Sequence, residues 1–174
     1  MSAVGIKQRH ILILDDQTGD RRALTQGLAK LGFEKVSEAA DPIAALDIMH
    51  ADPVDVLITE RFMPFIRFLR TSSKRPTPYI PIMMVSKHIS TAERQDIINA
   101  GVNRVISKPT IAENLELHIT SALEEPLPFV ESPAYVGPDR RRAGKIDNET
   151  KEPLKADENF SLTPAEIAVL LERD

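Results

Sequence analysis

Apolar positions along the chain come as short solid runs separated by stripes of helical spacing. "HILIL" (10–14), "VDVLIT" (54–59), "YIPIMMVS" (79–86) and "RVIS" (104–107) read as buried strands, with "KVSEA" (35–39) as a shorter one. Between them, Leu24, Leu28 and Leu31 lie on one face of a helix over 20–31 that Gly32 stops. Asp41-Pro42 reads as N-cap and first helical residue of a helix reaching His50. Ser90 and Glu93 form a capping-box pattern for a helix that Gly101 ends. Thr110 and Glu113 repeat that pattern, and Ile111, Leu115, Ile119 and Ala122 line one face of the helix that follows. Strand and helix thus alternate five times before residue 124, which predicts an α/β fold with a parallel sheet covered on both faces.

In such folds the site lies beyond the carboxyl ends of the strands. The strand ends here are Asp15-Asp16, Glu60, Ser86 and Lys108. Three acids, a hydroxyl and a lysine are expected to converge in one crevice, a set suited to small cations and phosphate. The plainer reading of each is at hand. The acid pair could be a solvated helix N-terminal charge pair. Lys108 could be a surface lysine, and Ser86 a strand terminus.

Composition changes after Glu125. Residues 126–159 hold five prolines, many charges and no long apolar run, which reads as a linker or extended arm. Within it, Gly137-Pro138-Asp139 is a turn signal followed at once by Arg140, Arg141 and Arg142. Adjacent guanidiniums suit anion recognition; a solvated charged linker is the alternative. The end changes again: Thr163 as N-cap, Pro164, Glu166 and a Leu162/Ile167 staple predict a short amphipathic helix within 161–174.

Apolar residues make up 42% and charged residues 28%, which fits an ordinary globular protein with a core. No apolar run approaches the roughly 18 residues of a membrane span, so membrane insertion is not expected. No signal-peptide pattern opens the chain, and a cytoplasmic location is the default expectation. There are no cysteines, which rules out disulfides and thiolate chemistry. A net charge of −4 and the absence of Trp argue against a general nucleic-acid binder. The four histidines show no metal-ligand spacing, and no nucleophile–base pair marks an enzyme.

Residues 8–123 resemble the receiver domain of bacterial two-component response regulators. The resemblance rests on Asp15-Asp16, Met63-Pro64, Ser86 and Lys108-Pro109. It implies a CheY-like (flavodoxin-like) doubly wound five-stranded parallel sheet, here with an irregular C-terminal extension: a Pro- and charge-rich arm over 124–160 and the short helix over 161–174. It implies a divalent-cation site at Asp15, Asp16 and position 60, with Mg2+ as the ion, and phosphoryl contacts from Ser86 and Lys108. The family's phospho-acceptor is an Asp four residues before the Met-Pro proline; this chain has Glu60 there. The loop after Met63-Pro64 is also shortened, and Lys87 stands where the family has a small residue.

Glu60 therefore has three readings. It could be an acceptor, although its extra methylene displaces the carboxylate by about 1.5 Å, a costly shift for in-line transfer. It could lean across to Ser86 and Lys108 and mimic the phosphorylated state, or it could be a relic in a domain kept for docking. The resemblance implies a protein partner (a histidine kinase, motor or other signalling protein) docking on residues 91–123, with a second copy of the chain as a further candidate. Phosphorylation-independent docking is the expected function. A rival is a cyclic-dinucleotide effector using Arg140–Arg142, since some CheY-like proteins bind cyclic di-GMP through an arginine-rich tail. A second rival is a phosphorylated switch. The extension is too short and unpatterned for a DNA-binding output domain, so direct DNA contact is not expected.

Overall fold

A computed structural model describes residues 3–71, 79–87, 89–132 and 135–139. Short helix α1 (Ala3–Lys7) leads into β1 (His10–Leu14), α2 (Thr18–Lys30), β2 (Lys35–Ala39) and α3 (Pro42–Ala51). Then follow β3 (Val56–Thr59), α4 (Met63–Thr71), β4 (Ile82–Ser86), α5 (Thr91–Asn99), β5 (Arg104–Ser107) and α6 (Ala112–Glu124). The five strands pair in parallel in the order β2-β1-β3-β4-β5.

The solid apolar runs are explained by burial on both faces. Leu12, Leu14, Leu57, Ile82 and Met84 pack under α3, α4 and α5, against Leu46, Ile66, Leu69 and Ile97. Their neighbours Ile11, Ile13, Val56, Ile58, Met83 and Val85 point the other way, into α2 and α6, against Leu28, Leu115 and Ile119. Period-two alternation thus divides one hydrophobic run between two cores.

The caps fix the helix entries. Asp41 accepts from the Ala44 amide at 2.9 Å, and Ser90 and Glu93 close the reciprocal box expected of them. Thr110 and Glu113 do not. Helix α6 starts one residue later than expected, with Ile111 as N-cap and no side-chain cap bond. Thr110 therefore lies outside the capping position, and its hydroxyl accepts instead from Asn114 at 3.1 Å. Strand β4 starts at Ile82, later than the sequence pattern suggests. No shortened loop follows Met63-Pro64: the pair opens α4 directly.

The linker expected over 124–160 is interrupted by structure. β6 (Phe129–Ser132) and β7 (Tyr135–Pro138) form an antiparallel hairpin. Its base is tied where the Asp139 amide donates to the Pro128 carbonyl at 2.5 Å. The hairpin sits on Tyr79 in the segment before β4, the end of α4 and the turn after α5. Gly101 there has φ +87°, and a Cβ on it would fall 2.6 Å from the Val136 carbonyl oxygen. A Cβ on Gly137 would fall 2.9 Å from Gly101 Cα, so the two backbones meet where neither has a side chain.

Beside this contact Arg70 is buried. Its guanidinium donates to the carbonyls of Gly101 (2.9 Å) and Ile80 (2.8 Å) and to Asn103 Oδ1 (3.0 Å). Phe129 lies over it, 5.1 Å from ring centroid to guanidinium carbon. Burial pulls the Arg70 pKa down to about 10, against an opposing influence of Tyr135. Tyr79 meets Phe129 edge-to-face at 5.6 Å and donates its hydroxyl to Glu131. Arg140–Arg142 and the helix expected at 161–174 lie outside the described residues.

Candidate functional site

The carboxyl ends of β1, β3, β4 and β5 bring Asp15, Glu60, Ser86 and Lys108 together. Lys108 follows β5, and its side chain is only 6% exposed. Its ammonium donates to Asp15 Oδ2 at 2.6 Å and Asp20 Oδ2 at 3.0 Å, and lies 2.6 Å from Glu60 Oε2. Burial works against this charge, but hydrogen bonds to Asp15, Glu60 and Asp20 outweigh it and hold the Lys108 pKa above the usual lysine value. Asp20 responds in kind: the bond from Lys108 lowers its pKa against a smaller desolvation effect.

Each acid is held by a second partner. Asp15 Oδ1 accepts from the Gln17 amide at 2.8 Å, which turns the chain from β1 into α2. Glu60 Oε1 accepts from the Ser86 hydroxyl at 2.5 Å. Asp20 lies 3.8 Å from the ammonium of exposed Lys87. Arg21 supports the floor, donating to the Asp15 carbonyl at 2.6 Å and to Glu38 at 3.1 Å.

Asp16 is the member of the expected set that the structure does not bring in. It is exposed, and its carboxylate accepts from the Gln17 side chain at 3.0 Å. Asp20 takes a place the sequence reading left empty. The available signal was an acid in the first turn of a helix opening at a strand end. Arg61 was also missed: it follows Glu60 and pairs with Glu93 in the first turn of α5. That pairing adds to the cap bonds from Ser90, which come first in lowering the Glu93 pKa to about 2.

The implied Mg2+ site, Asp15 with Asp16 and Glu60, does not match this arrangement. An ammonium stands at the focus of the buried acids, and Asp16 is turned to Gln17. Among the described residues no group of three His, Cys, Asp or Glu side chains is disposed to hold a metal ion. The pocket as built is a cluster closed on itself, one ammonium bridging three carboxylates, in which a carboxylate already engages the serine and the lysine. Among the described residues, no helix is long and apolar enough to cross a membrane.

A five-stranded parallel sheet in this order, with acids and a lysine at its carboxyl edge, defines a CheY-like receiver. The response regulator receiver domain family matches residues 11–120, and the chain belongs to that family. Chemotaxis protein CheY of Pseudomonas aeruginosa is 31% identical over 120 residues, covering 66% of this chain and 95% of that protein. Chemotaxis protein CheY-3 of Vibrio cholerae is 30% identical over 131 residues, covering 71% of this chain and 98% of that protein. A CheY-like receiver domain protein from Methanospirillum hungatei superposes with a TM-score of 0.58 at 25% identity, covering 68% of this chain and 95% of that one. The family match ends before the β6–β7 hairpin.

Proposed function

We propose that this receiver signals by docking to a protein partner without being phosphorylated, with Glu60 holding the pocket in an active-like state. Receivers of two-component systems act through kinases and other signalling proteins, and the closing contacts here are intramolecular. The observation that carries the proposal is the span of Glu60. One oxygen takes the Ser86 hydroxyl at 2.5 Å and the other lies 2.6 Å from the Lys108 ammonium. In a receiver of the usual kind those two groups contact the phosphoryl group that the acceptor carboxylate carries. A carboxylate already bonded to both leaves no free acceptor oxygen poised for in-line attack.

The docking face in this proposal is α5, β5 and α6. Leu117 on α6 is 70% exposed and Ile111 at its N-cap is 65% exposed, so the face carries apolar side chains available to a partner. Arg61 links the acid loop to this face through Glu93, which keeps the entry of α5 in register with the pocket.

The test is incubation with acetyl phosphate and Mg2+ followed by intact-mass measurement. No mass gain is expected, and affinity for a captured kinase or motor partner should be unchanged by the treatment. Acyl-phosphate on Glu60 would overturn the proposal and favour a phosphorylated switch.

A further inference from the structure

Three carboxylate oxygens from three separate elements point at one atom. Asp15 follows β1, Asp20 lies in the first turn of α2 and Glu60 follows β3. Their oxygens lie 2.6, 3.0 and 2.6 Å from Lys108 Nζ. An ammonium has three donors, and three acceptors at hydrogen-bond distance satisfy it. A small divalent ion asks for something different: about six oxygens in near-octahedral array at roughly 2.0–2.1 Å. The spare oxygens that could complete such a sphere are engaged elsewhere, Asp15 Oδ1 with the Gln17 amide and Glu60 Oε1 with Ser86. A divalent ion would have to expel a buried lysine or sit beside its charge, and like charges at such range repel strongly in a desolvated pocket.

We propose that the Lys108 ammonium is the resident cation of this pocket, and that Asp15, Asp20 and Glu60 become a divalent-cation site only when that ammonium is removed. The pocket then works independently of Mg2+, and Asp20, not Asp16, is the third acid of the cluster. This deepens the docking proposal and rests on its view of the pocket as closed from within. The tests remain separable, because that proposal is judged by acyl-phosphate formation and this one by metal binding alone.

The experiment is titration of the full chain with Mn2+, followed by electron paramagnetic resonance of the free ion. Three proteins are compared: the unaltered chain, Lys108→Met, and Lys108→Met with Asp20→Asn. Lys108→Met should bind Mn2+ at least about tenfold more tightly than the unaltered chain, and adding Asp20→Asn should reverse that gain, as loss of a liganding or supporting group typically does. Equal affinity in the unaltered chain and Lys108→Met, or a double variant as tight as the single, would overturn the proposal. If Lys108→Met fails to fold, amide spectra of the unaltered chain with added Mn2+ decide the matter. Paramagnetic broadening centred on Asp15, Asp20 and Glu60 would overturn the proposal, and its absence into the millimolar range would support it.

Discussion

Ser86 donates its hydroxyl hydrogen to Glu60 across 2.5 Å, joining the ends of β3 and β4 through side chains where the strands themselves stop. The bond uses one oxygen of Glu60 and leaves the other to Lys108. The ammonium and the acids thereby depend on each other, and their removal should not be symmetric.

Lys108→Ala should destabilise the fold far more than Glu60→Gln. Without the ammonium, Asp15 is left as a buried charge, and breaking a buried pair in this way costs about 3–5 kcal/mol. Glu60→Gln keeps an oxygen for Ser86 and relieves repulsion among the acids, so its cost should stay within about 1 kcal/mol. Urea unfolding of the two variants measures the order. The reverse order would show that Glu60 is held mainly by contacts other than Lys108.

Acid should loosen the start of α5 before it unfolds the sheet. The Glu93 pKa is depressed from 4.5 to about 2 by its bonds with Ser90 and Arg61. A depressed acid contributes fully above its unfolded value, and that contribution is lost as pH falls through the folded value. The window therefore runs from about pH 4.5 down to about pH 2. Amide exchange at the first turn of α5 should rise within it, and the rise should begin at higher pH in Arg61→Ala. Flat protection across the window in both proteins would contradict the assignment.

Gly101→Ala should disturb the hairpin as well as the turn that carries the substitution. The added Cβ meets the Val136 carbonyl on a backbone of positive φ, and strain of that kind costs about 1–3 kcal/mol. Thermal unfolding should shift downward, and protease cleavage near Phe129 should become faster. Arg70→Lys should do the same through loss of the guanidinium fork, which serves three oxygens at once. If cleavage near Phe129 is as fast in the unaltered chain as in both variants, the hairpin is not docked.

Arg140, Arg141 and Arg142 follow directly on Asp139. Replacing all three with Ala should leave thermal unfolding unchanged. If the run binds an anionic ligand, calorimetric heat with cyclic di-GMP should appear in the unaltered chain and vanish in the triple variant. It should also weaken with salt, since screening acts within about 10 Å at 0.1 M. No heat in the unaltered chain would remove cyclic di-GMP as the ligand.

The three central strands were legible because strands buried on both faces are apolar at nearly every position; the partly exposed edge strands β2 and β5 were legible from their short length and their place between helices. Asp15, Glu60, Ser86 and Lys108 were legible as strand ends, because parallel topology brings such ends to one edge. Asp16 is left out of the cluster for a local reason. Adjacent residues in a tight loop face opposite sides, and the Asx turn to Gln17 points Asp15 inward and leaves Asp16 outside. Asp20 opens the helix expected over 20–31 and lies in the first turn of α2, which begins at Thr18; its turn toward Lys108 is a tertiary contact that no local pattern reports. The hairpin was hidden by its prolines and by two strands of four residues each. Its support comes from Arg70 and Gly101, far away in sequence, and no local pattern reports that.

The meeting of Gly101 with Gly137 also decides how this receiver could be grafted. A chimera cut at residue 125 would carry the whole sheet and every pocket residue, yet it would transplant Arg70 stripped of its aromatic roof and a bare glycine notch at the foot of β5. Joined beyond Asp139, the same graft would travel with its own keystone.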